Sequence, residues 1–276
     1  MKANVNGITL GYDDSGTGPA LVLLHGFPFD RRMWRKQGSP VSGVGYRVIA
    51  PDLPGFGESQ SGNGFSLAST ADLIVGLLNY LGVGRAVFCG LDLGGRVLFE
   101  LLERHPQRVA GACFAATAIR PSNKAQGDVL EELETLVRAG QARGFLNVVE
   151  KFFWAGPEEE KDSGSREALL AQAAGCDFQI LEKGLGALFE GKDYTELAGG
   201  FKGPVLVLSG ESDRVVPPGE CLQLGASFPR SSFRTIPGAG HLANLEQAEI
   251  FNESLLDFLA VLNQRFSGYC GLGEVA

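Results

Sequence analysis

Four stretches of the chain carry apolar residues at nearly every position: "ALVLLHG" (Ala20 to Gly26), "RAVFCG" (Arg85 to Gly90), "VAGACFAAT" (Val109 to Thr117) and "PVLVLSG" (Pro204 to Gly210). Continuous apolar runs of this length predict strands covered on both faces, the kind found in parallel sheets. "YRVIAPDLPG" and "SSFRTIPG" predict two more strands, and "ITLGY" after the Asn6–Gly7 turn predicts a hairpin at the start of the chain. Between the strands the period changes. "SLASTADLIVGLLNYLGV" places Leu73, Ile74, Leu77, Leu78 and Leu81 on one helical face, and "GRVLFELLERHP" predicts a helix that stops near Pro106. A further helix is predicted near "GECLQLGASF" and a closing one from about Leu245 to Leu262. This alternation predicts an α/β fold built on a mostly parallel, doubly wound sheet.

From about Ile119 to Gly200 the alternation gives way to helical patterns, "DVLEELETLVRAGQARGFLNVVEKFFW" and "SREALLAQAAGCDFQILEKGLGALF", joined by the polar loop "GPEEEKDSGS". We expect residues 119–200 to form a helical lid inserted between strands of a core made of 1–118 and 201–265, followed by a loose tail over 266–276. The charged run Glu158 to Asp162 reads as a solvated loop. The aromatic residues of the insertion (Phe145, Phe152, Phe153, Trp154, Phe178 and Phe189) predict that it covers an apolar pocket and a small, largely apolar substrate.

Length and composition fit this picture: 276 residues, 44% hydrophobic and 20% charged, as in an ordinary soluble globule. A net charge of −8 argues against nucleic acid and anionic membrane as partners. The N-terminus "MKANVNGITLGYDDSG" lacks the charged start and apolar stretch of a secretory signal, and no window approaches a membrane span, so a cytoplasmic location is expected. The five cysteines (Cys89, Cys113, Cys176, Cys221 and Cys270) are scattered without CxxC spacing and read as reduced thiols. With three histidines and no ligand spacing, neither a metal nor a cofactor is expected.

The chemistry gathers at strand ends. Gly90-Leu91-Asp92-Leu93-Gly94, between an apolar strand and a helix, has the form of a G-x-nucleophile-x-G elbow, whose small flanking residues permit a sharp turn. "SGESDRVVPP" places Asp213 just beyond the next core strand, and "IPGAGHLANLE" places His241 in a glycine-flanked loop beyond the last. Nucleophile, acid and histidine in that order along one parallel sheet meet at its carboxyl edge. Phe27 in "HGFPFD" offers a backbone N–H that can converge with that of Leu93 as an oxyanion hole, while His25 reads as structural and His105 as exposed. Taken singly, Asp92, Asp213 and His241 also fit a glycine-rich turn, a cap and a packed loop histidine.

Together "LVLLHGFPFD", "APDLPGFGES", "CGLDLGGRV", "LSGESDRVVPP" and "GAGHLANLEQ" resemble the α/β-hydrolase family over nearly the whole chain. The frame is similar to that of esterases and enol-lactonases, whose elbow is typically GLSMGG, with Asp92 where they carry serine. An aspartate there resembles dehalogenases and epoxide hydrolases, which commonly have histidine before it; here the residue is Leu91. The resemblance implies a triad of Asp92, Asp213 and His241, with a small molecule and water as substrates. An aspartate nucleophile suits saturated carbon, giving an alkyl-enzyme ester that His241-activated water hydrolyses. For the leaving group, the lid tyrosine pair of epoxide hydrolases is reduced to Tyr194, and the tryptophan that often follows the dehalogenase nucleophile is Leu93. Trp154 and Trp34 are the candidate substrate-binding donors, and Arg96 the candidate partner for a substrate carboxylate. Three functions stay open: a hydrolase acting through an Asp92 ester on an epoxide or carbon–halogen bond, an esterase- or lactonase-like hydrolase with its serine replaced, and a non-catalytic binding protein or lyase on the same scaffold. Oligomeric state is not set by the sequence.

Overall fold

The fold was analysed in a computed structural model that describes residues 1–62, 65–121, 124–156, 163–189 and 192–269. Asn6 and Gly7 both take positive φ (52° and 84°), the geometry of a two-residue hairpin turn, and β1 (Lys2–Val5) folds back antiparallel on β2 (Ile8–Ser15) with Val5 opposite Ile8. The apolar run Ala20–Leu24 is β3, buried at all five positions. A single 3₁₀ turn, Arg31–Trp34, then leads into α1 (Arg35–Gly43), a helix that the sequence pattern does not announce. Its interior Pro40 cannot donate to the Lys36 carbonyl one turn back, and the Asn252 side-chain amide donates to that oxygen instead, at 2.9 Å.

The chain continues through β4 (Arg47–Pro51), α2 (Leu67–Tyr80, capped by the Ser66 hydroxyl), β5 (Ala86–Leu91), α3 (Leu93–Arg104) and β6 (Val109–Ala115). It then makes α4 (Lys124–Arg138), α5 (Ala142–Phe153), α6 (Ser163–Ala174), α7 (Phe178–Phe189) and α8 (Thr195–Gly200) before returning to the sheet. Each of the two long helical patterns is broken once: Gly140 takes φ 65° between α4 and α5, and the chain turns at Gly175 between α6 and α7. The charged run Glu158 to Asp162 lies outside the described residues. Last come β7 (Val205–Gly210), α9 (Pro218–Ser227), β8 (Ser231–Ile236), the one-turn α10 (Ala243–Glu246) and α11 (Ala248–Tyr269). The closing helix, expected to end near Leu262, therefore runs over the first positions assigned to a tail, and 270–276 lie outside the described residues.

All eight strands join one sheet in the order β1-β2-β4-β3-β5-β6-β7-β8, parallel from β4 to β8. After β3 the chain moves outward to β4 and then returns to the other side of β3 for β5. The order therefore reverses between β3 and β5, and the connections leaving their carboxyl ends diverge, which opens a crevice there. α3, buried at every position from Leu93 to Leu102, fills the space behind that crevice. Cys89 and Cys113 lie opposite one another on β5 and β6, and Cys221 lies on α9; all three are buried free thiols. Cys176 is half-buried at the turn between α6 and α7, and Cys270 lies outside the described residues. No helix among the described residues is long and apolar enough to cross a membrane.

Candidate active site

Asp92 occupies the single position between the end of β5 and the start of α3 and adopts φ 49°, ψ −109°. A non-glycine residue in this region costs of order 1–3 kcal/mol and persists only where the surroundings dictate it. The surroundings here are glycines: a Cβ at Gly94 would be driven into the carbonyl oxygen of Leu24 on β3, and one at Gly90 into the first turn of α3. α3 can thus sit close against β3, and its first amides face the crevice.

The Phe27 N–H, just beyond β3, donates to Asp92 Oδ2 at 3.2 Å. Burial pushes the Asp92 carboxyl above its ordinary value, opposed by the charge of His241 and by the Leu93 and Phe27 amides. The start of α3, whose Leu93 amide favours the charged form, therefore meets a larger opposing effect, since Asp92 is only 5% exposed.

His241 lies in the loop after β8, fully buried, and its Nδ1 faces both Asp213 oxygens at 3.0 and 3.2 Å. Asp213, in the turn after β7, is itself fixed by the Val215 and Val216 amides, both donating to Oδ1 at 2.9 Å. Burial resists protonation of His241, but the charge and hydrogen bond of Asp213 outweigh it, and the imidazole titrates above its usual value. Among the described residues no protein group bonds His241 Nε2. The imidazole is thus oriented on one side and free on the other, as a general base requires.

His25 has the structural role read from the sequence. Its Nε2 accepts the Leu53 N–H at 2.8 Å, its Nδ1 meets the Gly26 carbonyl at 3.1 Å, and burial lowers its pKa. His105 is half-buried against Asp72 (2.7 Å) rather than open to solvent.

The residues proposed to touch substrate are placed less uniformly. Trp154, at the end of α5, packs on Phe29 and under the Arg166 guanidinium, and its neighbour Phe153 meets the His241 ring edge-on at 4.9 Å between centroids. Phe145 packs edge-on against Phe27. Trp34 instead lies against Phe251 of α11, with its indole N–H buried and unbonded. Neither tryptophan lines the cavity of about 30 Å³ beside Asp92, which is bounded by Arg96, Thr117, Ala118, Arg120, Leu130, Leu188, Val215 and Val216. That space is of the size of a water molecule rather than of an organic substrate, and the helical insertion contributes Leu130 of α4 and Leu188 of α7 to its wall.

Arg96 lines this cavity but donates to the carbonyls of Ala118 (3.2 Å) and Lys192 (3.3 Å) and stacks over Tyr194. It thereby joins the two crossings between sheet and helical insertion. Tyr194 is committed as well: its hydroxyl donates to the buried Glu100 carboxylate at 2.8 Å, and its ring stacks on Phe99. One residue that the sequence reading passed over also belongs here. Glu246 on α10 accepts hydrogen bonds from Gly240, beside His241, and from Ala155, after α5. A lone glutamate five positions after a histidine has no spacing signature that would single it out.

Comparison with known proteins agrees with this geometry. The alpha/beta hydrolase fold family matches residues 19–248. A thermophilic esterase from Thermogutta terrifontis is similar in structure, with a TM-score of 0.86 at 30% identity, covering 95% of this chain and 98% of that one. The enol-lactonase of Burkholderia xenovorans LB400 has a TM-score of 0.86 at 25% identity, covering 94% and 100%. Bifunctional epoxide hydrolase 2 of Sus scrofa is 37% identical over 120 residues, 42% of this chain, and the match spans 22% of that protein's length. A strained elbow at the end of β5, the Asp213–His241 pair beyond β7 and β8, and a family match over most of the sequence together establish that the chain belongs to the α/β-hydrolase fold family.

Proposed function

We propose that the protein is a hydrolase whose nucleophile is Asp92 and whose substrate is a small molecule with a leaving group on saturated carbon. The observation that carries this reading is the position of Asp92: it sits at the elbow with Oδ2 held by the Phe27 amide. Oδ1 then attacks carbon, a C–O bond forms, and the carbon–leaving-group bond breaks with its electron pair. The product of this step is an alkyl ester whose carbonyl oxygen, Oδ2, is already held by the Phe27 amide, a donor placed to stabilise an oxyanion. Water attacks the ester carbonyl, its proton passes to His241 Nε2, and collapse of the tetrahedral adduct releases the alcohol, which takes that proton. Because His241 must be neutral to act and titrates above its ordinary value, this step slows as pH falls through a point higher than that of a free histidine.

Both substrate types stay within this reading, each short of one partner: neither tryptophan lines the cavity to receive a halide, and an epoxide lacks its proton donor. An opening epoxide leaves as an alkoxide on the substrate and calls for a proton donor, whereas the one tyrosine of the insertion, Tyr194, is bonded to Glu100. A halide departs as a stable anion. The esterase- or lactonase-like reading is favoured by a different observation, the likeness over nearly the full chain to an esterase and an enol-lactonase.

Following the oxygen separates the two readings. In a single turnover in H₂¹⁸O, Asp92 should take up label and the product hydroxyl should not. His241→Gln should stop the second step and accumulate an alkyl-enzyme, seen as added mass on the peptide containing Asp92. Label in the product with none on Asp92 would reduce the aspartate to a base or an electrostatic group and leave the altered-esterase reading.

A further inference from the structure

Glu246 joins Ala155, 91 residues before it, to Gly240, 6 residues before it. Its Oε2 accepts the Ala155 N–H at 2.8 Å, and its Oε1 accepts the Gly240 N–H at 2.9 Å. The first amide belongs to the turn that ends α5 in the helical insertion; the second immediately precedes His241. The two segments also meet directly. The Leu242 N–H donates to the Phe153 carbonyl at 3.3 Å, and a Cβ at Gly240 would lie 2.6 Å from the Ala155 nitrogen. Arg214, one residue after Asp213, holds the carbonyls of Lys151 and Trp154 from the other side. Thus each of residues 153–155 is bonded through its backbone to the loops after β7 and β8 or to α10, while the Phe153 and Trp154 rings pack on Phe29.

From this geometry we infer that Glu246 is a positioning residue for His241, and that its carboxylate ties the orientation of the imidazole to the seating of the α5 end on the core. A carboxylate is suited to the task because it alone offers two acceptor oxygens, one for each amide, with a charge that strengthens both bonds. A glutamine would present one acceptor and one donor, and the donor would face an N–H. The titratable and charged groups around it are Asp213 and His241 from the loops after β7 and β8, Arg214, and Lys36 of α1, whose Nζ reaches the adjacent Leu245 carbonyl at 3.0 Å. Burial pushes the Glu246 carboxyl up and its two amide partners pull it down, while its charge is among those that raise the titration point of His241.

The inference rests on His241 being the base of the reaction proposed above, but its test reads the imidazole and the amides rather than turnover, so failure of one is distinguishable from failure of the other. Histidine NMR follows His241, assigned by its loss in His241→Gln, and hydrogen exchange follows Ala155, Gly240 and, as control, Cys89 of β5. In Glu246→Gln, Ala155 and Gly240 should both exchange at least about tenfold faster while Cys89 stays protected, and the His241 titration midpoint should move down. In Glu246→Asp, which keeps the charge but loses reach, the two amides should again exchange faster while the midpoint stays near that of the parent. If Glu246→Gln is folded and either amide keeps the parental rate, or the His241 midpoint does not move, the inference is overturned. If Cys89 loses protection in that variant, Glu246→Asp decides: faster exchange at both amides upholds the inference and parental exchange at either overturns it.

Discussion

Asp92 has a charge in a place that resists charge and a backbone conformation that resists a side chain. Both costs are visible as geometry: 5% exposure, and φ of 49° between Leu91 and Leu93. Asp92→Asn removes the charge and leaves size and backbone nearly unchanged, so we predict that it stabilises the fold at neutral pH by about 1–2 kcal/mol. For a chain of this length that is a rise of roughly 2–6 °C in melting temperature. The pH dependence follows from the raised pKa of the buried carboxyl. Below the carboxyl's unfolded value both states hold the proton, and the group contributes no difference between parent and variant. As pH rises the unfolded parent ionises first, so the parent loses ground to the variant until the folded carboxyl ionises too, and the gap is then constant. Melting curves of both proteins from pH 3 upward check this; a gap that is absent at pH 7, or that widens toward acid, would contradict it.

Between β5 and α3 there is no linker beyond Asp92 itself, so the elbow depends on how closely the helix can lie against the sheet. Gly94→Ala should force α3 away from Leu24 and cost about 3 kcal/mol or more, whereas Gly186→Ala on α7, with open space around it, should be neutral or slightly stabilising. Chemical denaturation of the two variants makes the comparison. Elements of this kind were legible in the sequence because their causes are local. The central parallel strands show as continuous apolar runs, with Asp92 and Asp213 shortly after two of them, and His241 shortly after the largely polar β8. Other elements depend on partners far along the chain. α1 contains Pro40, and the carbonyl orphaned by it is satisfied by Asn252, more than two hundred residues later. Arg96 read as a possible ligand for a carboxylate; it lines the cavity beside Asp92 with its Nε unbonded, but its two other nitrogens hold the carbonyls of Ala118 and Lys192, from either end of the insertion. Trp34 read as a candidate substrate-binding donor, yet at the end of the 3₁₀ turn after Asp30 it lies against Phe251. Side-chain direction, unlike strand position, is decided by packing that no short motif encodes.

At the scale of the whole molecule, the candidate site groups from the ends of β3, β5, β7 and β8 converge on one edge of the sheet, and the helices between β6 and β7 supply Phe145, Phe153 and Trp154 around them. On the proposed function, substrate entry is expected through a loosening of the helical insertion without loss of the sheet. The four described thiols are distributed so as to report on these two events separately. Cys89, Cys113 and Cys221 belong to the sheet and a helix packed on it, whereas Cys176 belongs to the insertion, between α6 and α7. Burial pushes the Cys176 and Cys221 thiols up to about 12, so at neutral pH neither supplies appreciable thiolate while its surroundings stay closed. Exposure restores an ordinary thiol and raises its thiolate fraction, so alkylation proceeds through whichever opening frees the sulfur. In a Cys270→Ser background we predict that Cys176 is alkylated in native buffer at least about tenfold faster than Cys221, and that low denaturant speeds Cys221 more steeply than Cys176. Equal rates and equal denaturant slopes would mean that the insertion and the sheet open as one unit. The cysteines, which have no part in the chemistry, thus serve as a built-in clock that times the opening of the entrance against the unfolding of the protein.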